Sequence, residues 1–325
     1  MATDNLELRS GDWVEVRSKE EILAMLDEHG CYQGMPFMPE MLRYCGTKLR
    51  VWKRGEKACD VINKTTARRV RSAVHLEALR CDGSAHDNCQ AGCLLFWKEA
   101  WLKRSGASDD SSPIVSGARC TEVELQNATR GPELPEFPGQ PIYRCQATQM
   151  FAASEPMSPW DLSQYWRDWR CGNVGLAMML RALVIAWWNM LMRRLKRPTY
   201  PYLKGRATGK TPAEKLDLQA GEWVEVRSAD EIMATIDRRQ RNRGLWFDVE
   251  QLRFCGKRFR VLRRVSQIVD EKTGRMLKMP SDCIILDGVA CIGDISTKRL
   301  FCQRAIYPYW REIWLRRVEG PTPNG

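Results

Sequence analysis

Histidine is nearly absent from this chain. There are three in 325 residues, His29, His75 and His86, which leaves few imidazoles for general-base or metal-triad chemistry. His29 closes a predicted helix, where a cation suits the dipole, and His75 aligns with Ile285 on a predicted packed strand. His86 alone stands beside cysteines, so a Cys/His nucleophile pair there is the one catalytic arrangement left open. No G-x-G-x-x-G, G-x-S-x-G or H-E-x-x-H occurs. GRATGKT (205–211) has three residues where a phosphate loop needs four, lacks a preceding strand and runs into Pro212, which excludes that reading. The opening MATDNLELRSGDW has no apolar h-region. The expectation is therefore a cytoplasmic chain with reduced thiols, in which the glycosylation-type sites NKT (63–65) and NAT (127–129) stay unused.

Cysteine, by contrast, is plentiful. Thirteen is an odd number, so complete internal disulfide pairing is excluded, and in a reducing compartment clustered thiols point to metal or catalysis. The chain also repeats itself. GDWVEVRS to RYCGTKLRVWKR (11–54) aligns without a gap to GEWVEVRS to RFCGKRFRVLRR (221–264). LEALRC (76–81) answers LDGVAC (286–291), and CQAGCLLFWKEAWLKR (89–104) answers CQRAIYPYWREIWLRR (302–317). Cys45/Cys255, Cys81/Cys291 and Cys89/Cys302 are kept in both copies.

Length allows two to three domains. The expected division is repeat one at 1–104, a linker and helical connector at 105–215, repeat two at 216–318 and a disordered tail at 319–325. Within each repeat GDWVEVRS alternates as a strand, with Val14 and Val16 on one face. Ser18 and Ser228 fit helix N-caps, and Gly30 fits a stop. KTGRM (272–276) supplies a turn that makes 258–270 and 275–289 a hairpin. Trp97/Trp101 and Trp310/Trp314 suit one helical face or a final strand, and are expected in the core. The fold class expected is α+β: two small repeated β-barrels joined by a mainly helical connector.

The G-D-x-V-x-V opening resembles SH3-like barrels of the KOW type. With GDWVEVRS, the YCG and FCG elements, CDGSAH and AIYPYWREIWLRRV, the chain as a whole resembles a group of uncharacterised bacterial tandem SH3-like, cysteine-rich proteins. That resemblance implies a fold and brings no activity with it.

The middle segment differs in kind. SGASDDSSPIVSGA (105–118) is linker-like, PELPEFPGQP (132–141) is extended, and Ser158-Pro159 predicts a helix start. From Val174 to Met192 there is one charge, Arg181. Three readings fit: a helix buried against the repeats or a partner, an interfacial helix with RRLKR at head groups, and a transmembrane span. The net charge of +11 is concentrated in seven basic residues between Arg193 and Lys210, and in RRQRNR (238–243) with KRFRVLRR (257–264). Such runs attract lipid head groups, nucleic acid or acidic protein.

The expected metal ligands are Cys45, Cys59, Cys81 and Cys89 in repeat one and Cys255, Cys283, Cys291 and Cys302 in repeat two. Cys59 and Ala73, the counterpart of Cys283, are placed opposite each other on a hairpin. A competing set around CDGSAHDNCQAGC takes Cys81, Cys89 and Cys93, with Cys59 or Cys145 as the fourth ligand. Four thiolates suit Zn2+, or alternatively a [4Fe-4S] cluster, one per repeat. Cys31, Cys120 and Cys171 read as core. The function expected is a non-enzymatic, metal-stabilised scaffold or adaptor holding a partner protein, with residues 174–197 available to a membrane surface. An iron–sulfur electron carrier or enzyme and a KOW-like nucleic-acid binder are the alternatives.

Overall fold

The computed structural model describes residues 6–63, 67–105, 120–296 and 299–320, with the backbone alone at 282. The turn at 64–66, most of the linker-like 105–118 and the end of the tail lie outside the described residues. The chain is mixed α+β with several antiparallel sheets. It forms two compact units, one of 1–181 with 268–277 and 298–304, the other of 182–267 with 278–297 and 305–325.

The first unit contains β1 (Trp13–Val16), α1 (Lys19–Met25), β2 (Cys31–Tyr32), β3 (Met35–Pro36), β4 (Lys48–Arg54), β5 (Lys57–Cys59), β6 (Ala67–Arg69), β7 (Ala73–Leu76), β8 (Trp97–Lys98), β9 (Leu102–Arg104), α2 (Glu122–Asn127), β10 (Glu155–Pro156) and α3 (Ser163–Arg170). Its principal sheet runs β8-β7-β4-β1-β9, and a second sheet runs β10-β6-β5. The alternation in β1 places Val14 and Val16 in the core and leaves Trp13 exposed. Ser18 caps α1 through a reciprocal box, its hydroxyl accepting from Glu21 N–H while the Glu21 carboxylate accepts from Ser18 N–H. The helix stops at Met25, short of Gly30. Leu26 turns in extended conformation into the core, and Asp27 Oδ1 then accepts from the N–H groups of His29 and Cys31. Phe37 meets Trp97 and Trp101 edge-on, with ring centroids 6.1 and 5.1 Å apart.

Helix α4 (Leu176–Arg194) runs across the division. The second unit then has β11 (Trp223–Val226), α5 (Ala229–Thr235), β12 (Arg241–Asn242), β13 (Leu245–Trp246), β14 (Arg258–Val269), β15 (Met276–Leu286) and β16 (Leu315–Arg317), with the sheet order β15-β14-β11-β16. The capping box recurs at Ser228 and Glu231, and Phe247 meets Trp310 and Trp314 at 6.1 and 5.1 Å. In both copies the second tryptophan ends a 3-10 turn and the next residue begins the last strand. Each principal sheet keeps two distinct end strands, and no closed barrel forms among the described residues.

Two local expectations are corrected. Cys59 pairs with Ala67, whereas Ala73 lies beyond that pairing and its carbonyl accepts from Gly55 N–H. Gly55 interrupts the strand between β4 and β5, so one continuous hairpin register does not hold. Helix α3 begins at Ser163, not Ser158. The Asp161 carboxylate accepts from both the N–H and the hydroxyl of Ser163, which holds a turn ahead of the helix.

Candidate functional site

All thirteen cysteines are reduced thiols without a disulfide. In the first unit, Cys59 N–H donates to Cys302 Sγ at 3.0 Å. The hydrogen bond with Cys302, helped by Arg304 and Arg299, outweighs burial and brings the Cys59 thiol down to about 7. Arg304 is buried, donates to Cys59 O at 3.3 Å, and forks onto Glu271 at 3.0 and 2.7 Å. Cys89 Sγ accepts from Val269 N–H at 3.2 Å. Burial pushes Cys93 up to about 12 and Cys145 up to about 11, and raises Cys81 and Cys45. Cys81 Sγ is 3.5 Å from His86 Nε2, but burial lowers the imidazole as it raises the thiol. The pair is held neutral, the opposite of a thiolate–imidazolium nucleophile. Cys31, Cys120 and Cys171 are buried.

In the second unit the thiols have separate neighbours. Cys291 Sγ donates to Glu250 Oε2 at 3.1 Å, an oxygen that also accepts from the N–H groups of Ile292 and Gly293. Cys283 Sγ accepts from Arg311 Nη1 at 3.5 Å. Cys255 is half-buried and pushed up to about 11 by burial. Cys302 belongs to the first unit. Glu40 is the repeat-one counterpart of Glu250 and is likewise buried, and its charge helps raise Cys81. A cysteine beside a buried glutamate is thus common to both copies. Among the described residues, no group of three or more His, Cys, Asp or Glu is arranged to hold a metal ion.

A cleft of the first unit, about 550 Å³, was not legible as a site from the sequence. Arg9, Arg54, Arg69, Arg71, Arg167 and Arg170 line it, with Glu7, Glu56 and Trp166. These arginines are scattered over the N-terminal segment, β4, β6, the turn after it and α3, outside the basic runs. Behind it, Lys57 Nζ meets Asp168 Oδ2 at 2.5 Å and Leu300 O at 3.1 Å. Gln303 Nε2 donates to Asp168 Oδ1 at 2.8 Å. This buried pair is charge-balanced and polar-satisfied, as burial of two ions requires.

Helix α4 is the other exceptional surface. Its 19 residues have a mean hydropathy of 1.3 over the most apolar window, long and apolar enough to cross a membrane, yet 11% of that window is buried. At about 100° per residue, Leu176, Leu180, Val184, Trp187, Trp188 and Leu191 fall within an arc of roughly 120°. The first five are 46–64% exposed. Met179, Ala182 and Asn189 lie on the opposite side and are buried. Burial of the helix is therefore confined to one stripe. A scan against protein-family models and searches of the curated proteins and of the solved structures found no match to this chain.

Proposed function

We propose that this chain is a non-enzymatic adaptor that lies on an anionic membrane surface through α4 and presents two SH3-like units. The observation that carries the reading is the outward apolar arc of α4. A water-exposed stripe with two tryptophans is costly unless something apolar covers it. The helix ends in Arg193 and Arg194, and Lys196 and Arg197 follow, all exposed. An in-plane helix would sink the arc to the acyl boundary while these cations meet head groups, each contributing about 1 kcal/mol on an anionic surface. Tryptophan favours that depth. Arg181, exposed within the helix, suits an interfacial position better than a spanning one. The SH3-like reading is supported by the repeated strand, short capped helix and tryptophan-bearing 3-10 turn.

Co-sedimentation of the full chain with vesicles tests this. Binding is expected to phosphatidylserine-containing vesicles, weakening with salt, and to be lost in Val184→Glu/Trp187→Glu/Trp188→Glu. A variant that sediments as well as the parent, or a parent that ignores vesicles, refutes the proposal.

A further inference from the structure

We infer that the arginine-lined cleft of the first unit binds a phosphate-bearing ligand. The lining carries six arginines against two glutamates, so the question is which guanidiniums are already engaged. Arg54 is: it pairs with Glu56 at 2.7 Å and Glu99 at 3.0 Å. Arg69 meets Asp161 at 3.1 Å and Arg71 meets Glu155 at 2.9 Å, both in exposed or half-exposed pairs that water weakens. Arg9 and Arg170 have no side-chain partner among the described residues. Arg167 Nη2 is buried without a hydrogen-bond acceptor, its nearest carboxylate oxygen being 3.7 Å away on Asp161. A ligand oxygen would complete it.

The duplication separates scaffold from site. Arg54 has a counterpart in Arg264, which pairs with Glu312 at 2.7 Å as Arg54 pairs with Glu99. That arginine is structural in both copies. Arg9, Arg69 and Arg71 correspond to Gln219, Met279 and Ser281, and Arg167 and Arg170 come from α3, which the second repeat lacks. Five of the six arginines are therefore particular to the first unit and are not needed to fold the repeat. Their forks match phosphate oxygens bidentately, as lysines would not. The cleft volume, about 550 Å³, is that of a pocket for a small molecule or head group. The shared chemistry is a phosphate group, carried either by a soluble phosphorylated compound or by a lipid head group.

The inference is independent of α4. Titration calorimetry of the full chain with inorganic pyrophosphate and with soluble inositol trisphosphate tests it. Saturable binding is expected for at least one of them. It should weaken roughly tenfold or more in Arg9→Gln/Arg71→Ser/Arg170→Gln, with the thermal midpoint retained because these side chains are exposed. Arg238→Gln/Arg239→Gln/Arg241→Gln removes the same charge from the exposed turn that leads into β12 and should leave binding unchanged. A preference for vesicles bearing the same phosphorylated head group over phosphatidylserine vesicles identifies the lipid source. Equal sedimentation alongside calorimetric binding identifies the soluble one. Absence of binding by both probes, or equal loss in both triple variants, overturns the site. Phosphate binding that persists in the α4 variant shows that the two proposals stand or fall separately.

Discussion

His75 occupies the position of Ile285 in the second repeat, and the difference makes it an acid trigger. It is fully buried, with Nδ1 2.8 Å from Leu95 O, which only accepts. Nδ1 therefore carries the proton, and Nε2 is left without a partner. Burial lowers the imidazole to about 3. The folded value lies below the unfolded one, so the contribution is complete above pH 6.5 and is lost as pH falls towards 3. Between pH 6.5 and 5 the loss is about 1.5–2 kcal/mol. His75→Ile should flatten the fall in urea midpoint over that interval, and an unchanged slope would reject the assignment. Cys302 yields a second prediction. Cys302→Ala strips the acceptor from the buried Cys59 N–H, costing about 1–3 kcal/mol. It also lets the Cys59 thiol rise, which removes the stability gained between pH 7 and 9. Elemental analysis of the same protein bears on the zinc expectation. A metal held by the repeated cysteines loses about one equivalent in this variant or in Cys291→Ala, and unchanged content in both counts against it. The sequence shows that three cysteines recur. It cannot show that Cys302 hydrogen-bonds to Cys59, because thiol proximity between distant segments leaves no periodicity to read.

Elements governed by short-range chemistry are the legible ones. Ser18 and Ser228 announce their helices because an N-cap and its glutamate lie three residues apart and satisfy each other locally. The hairpin of β14 and β15 is legible from the turn at Gly274, whose φ of +75° suits glycine. Register is less local. The break at Gly55, where an added Cβ would come within 3.0 Å of the His75 ring, depends on a side chain twenty residues away. Helix α4 marks another boundary of legibility. Both of its faces are apolar, so periodicity cannot tell the stripe that packs from the arc that remains outside. Only the structure separates Met179, Ala182 and Asn189 from Leu180, Val184 and Trp187. That distinction is the one on which the membrane-surface proposal rests.

The arginine cleft emerges only in the folded molecule, for its guanidiniums come from segments more than 150 residues apart. The duplication supplies the key, since each copy acts as an internal control for the other. The same logic applies to the Arg–Glu pair that recurs in both copies. Glu99 Oε1 accepts from Leu8 N–H at 3.1 Å and from Arg54, but its Oε2 is buried without a hydrogen-bond partner. Burial consequently raises this carboxyl despite Arg54. Glu312 is buried too, yet both oxygens are used. Oε1 accepts from Leu218 N–H and Arg264, and Oε2 from Leu216 N–H at 2.9 Å. There the N–H groups and Arg264 outweigh burial and lower the carboxyl. The signs are opposite. Glu312 stabilises its unit above the ordinary carboxylate range and loses that contribution as pH falls, whereas Glu99 favours the protonated form and its charge costs stability at pH 7. Glu312→Gln should therefore lose about 1.5–3 kcal/mol at pH 7, since the new amide also faces a donor at Leu216. That deficit should shrink towards pH 4. Glu99→Gln keeps the acceptor for Leu8 and removes an under-solvated charge, so its urea midpoint at pH 7 should stay within about 0.5 kcal/mol of the parent or rise. A larger loss at Glu99 than at Glu312 would mean that the two copies bear their shared ion pair alike, and that hydrogen-bond satisfaction does not set its sign.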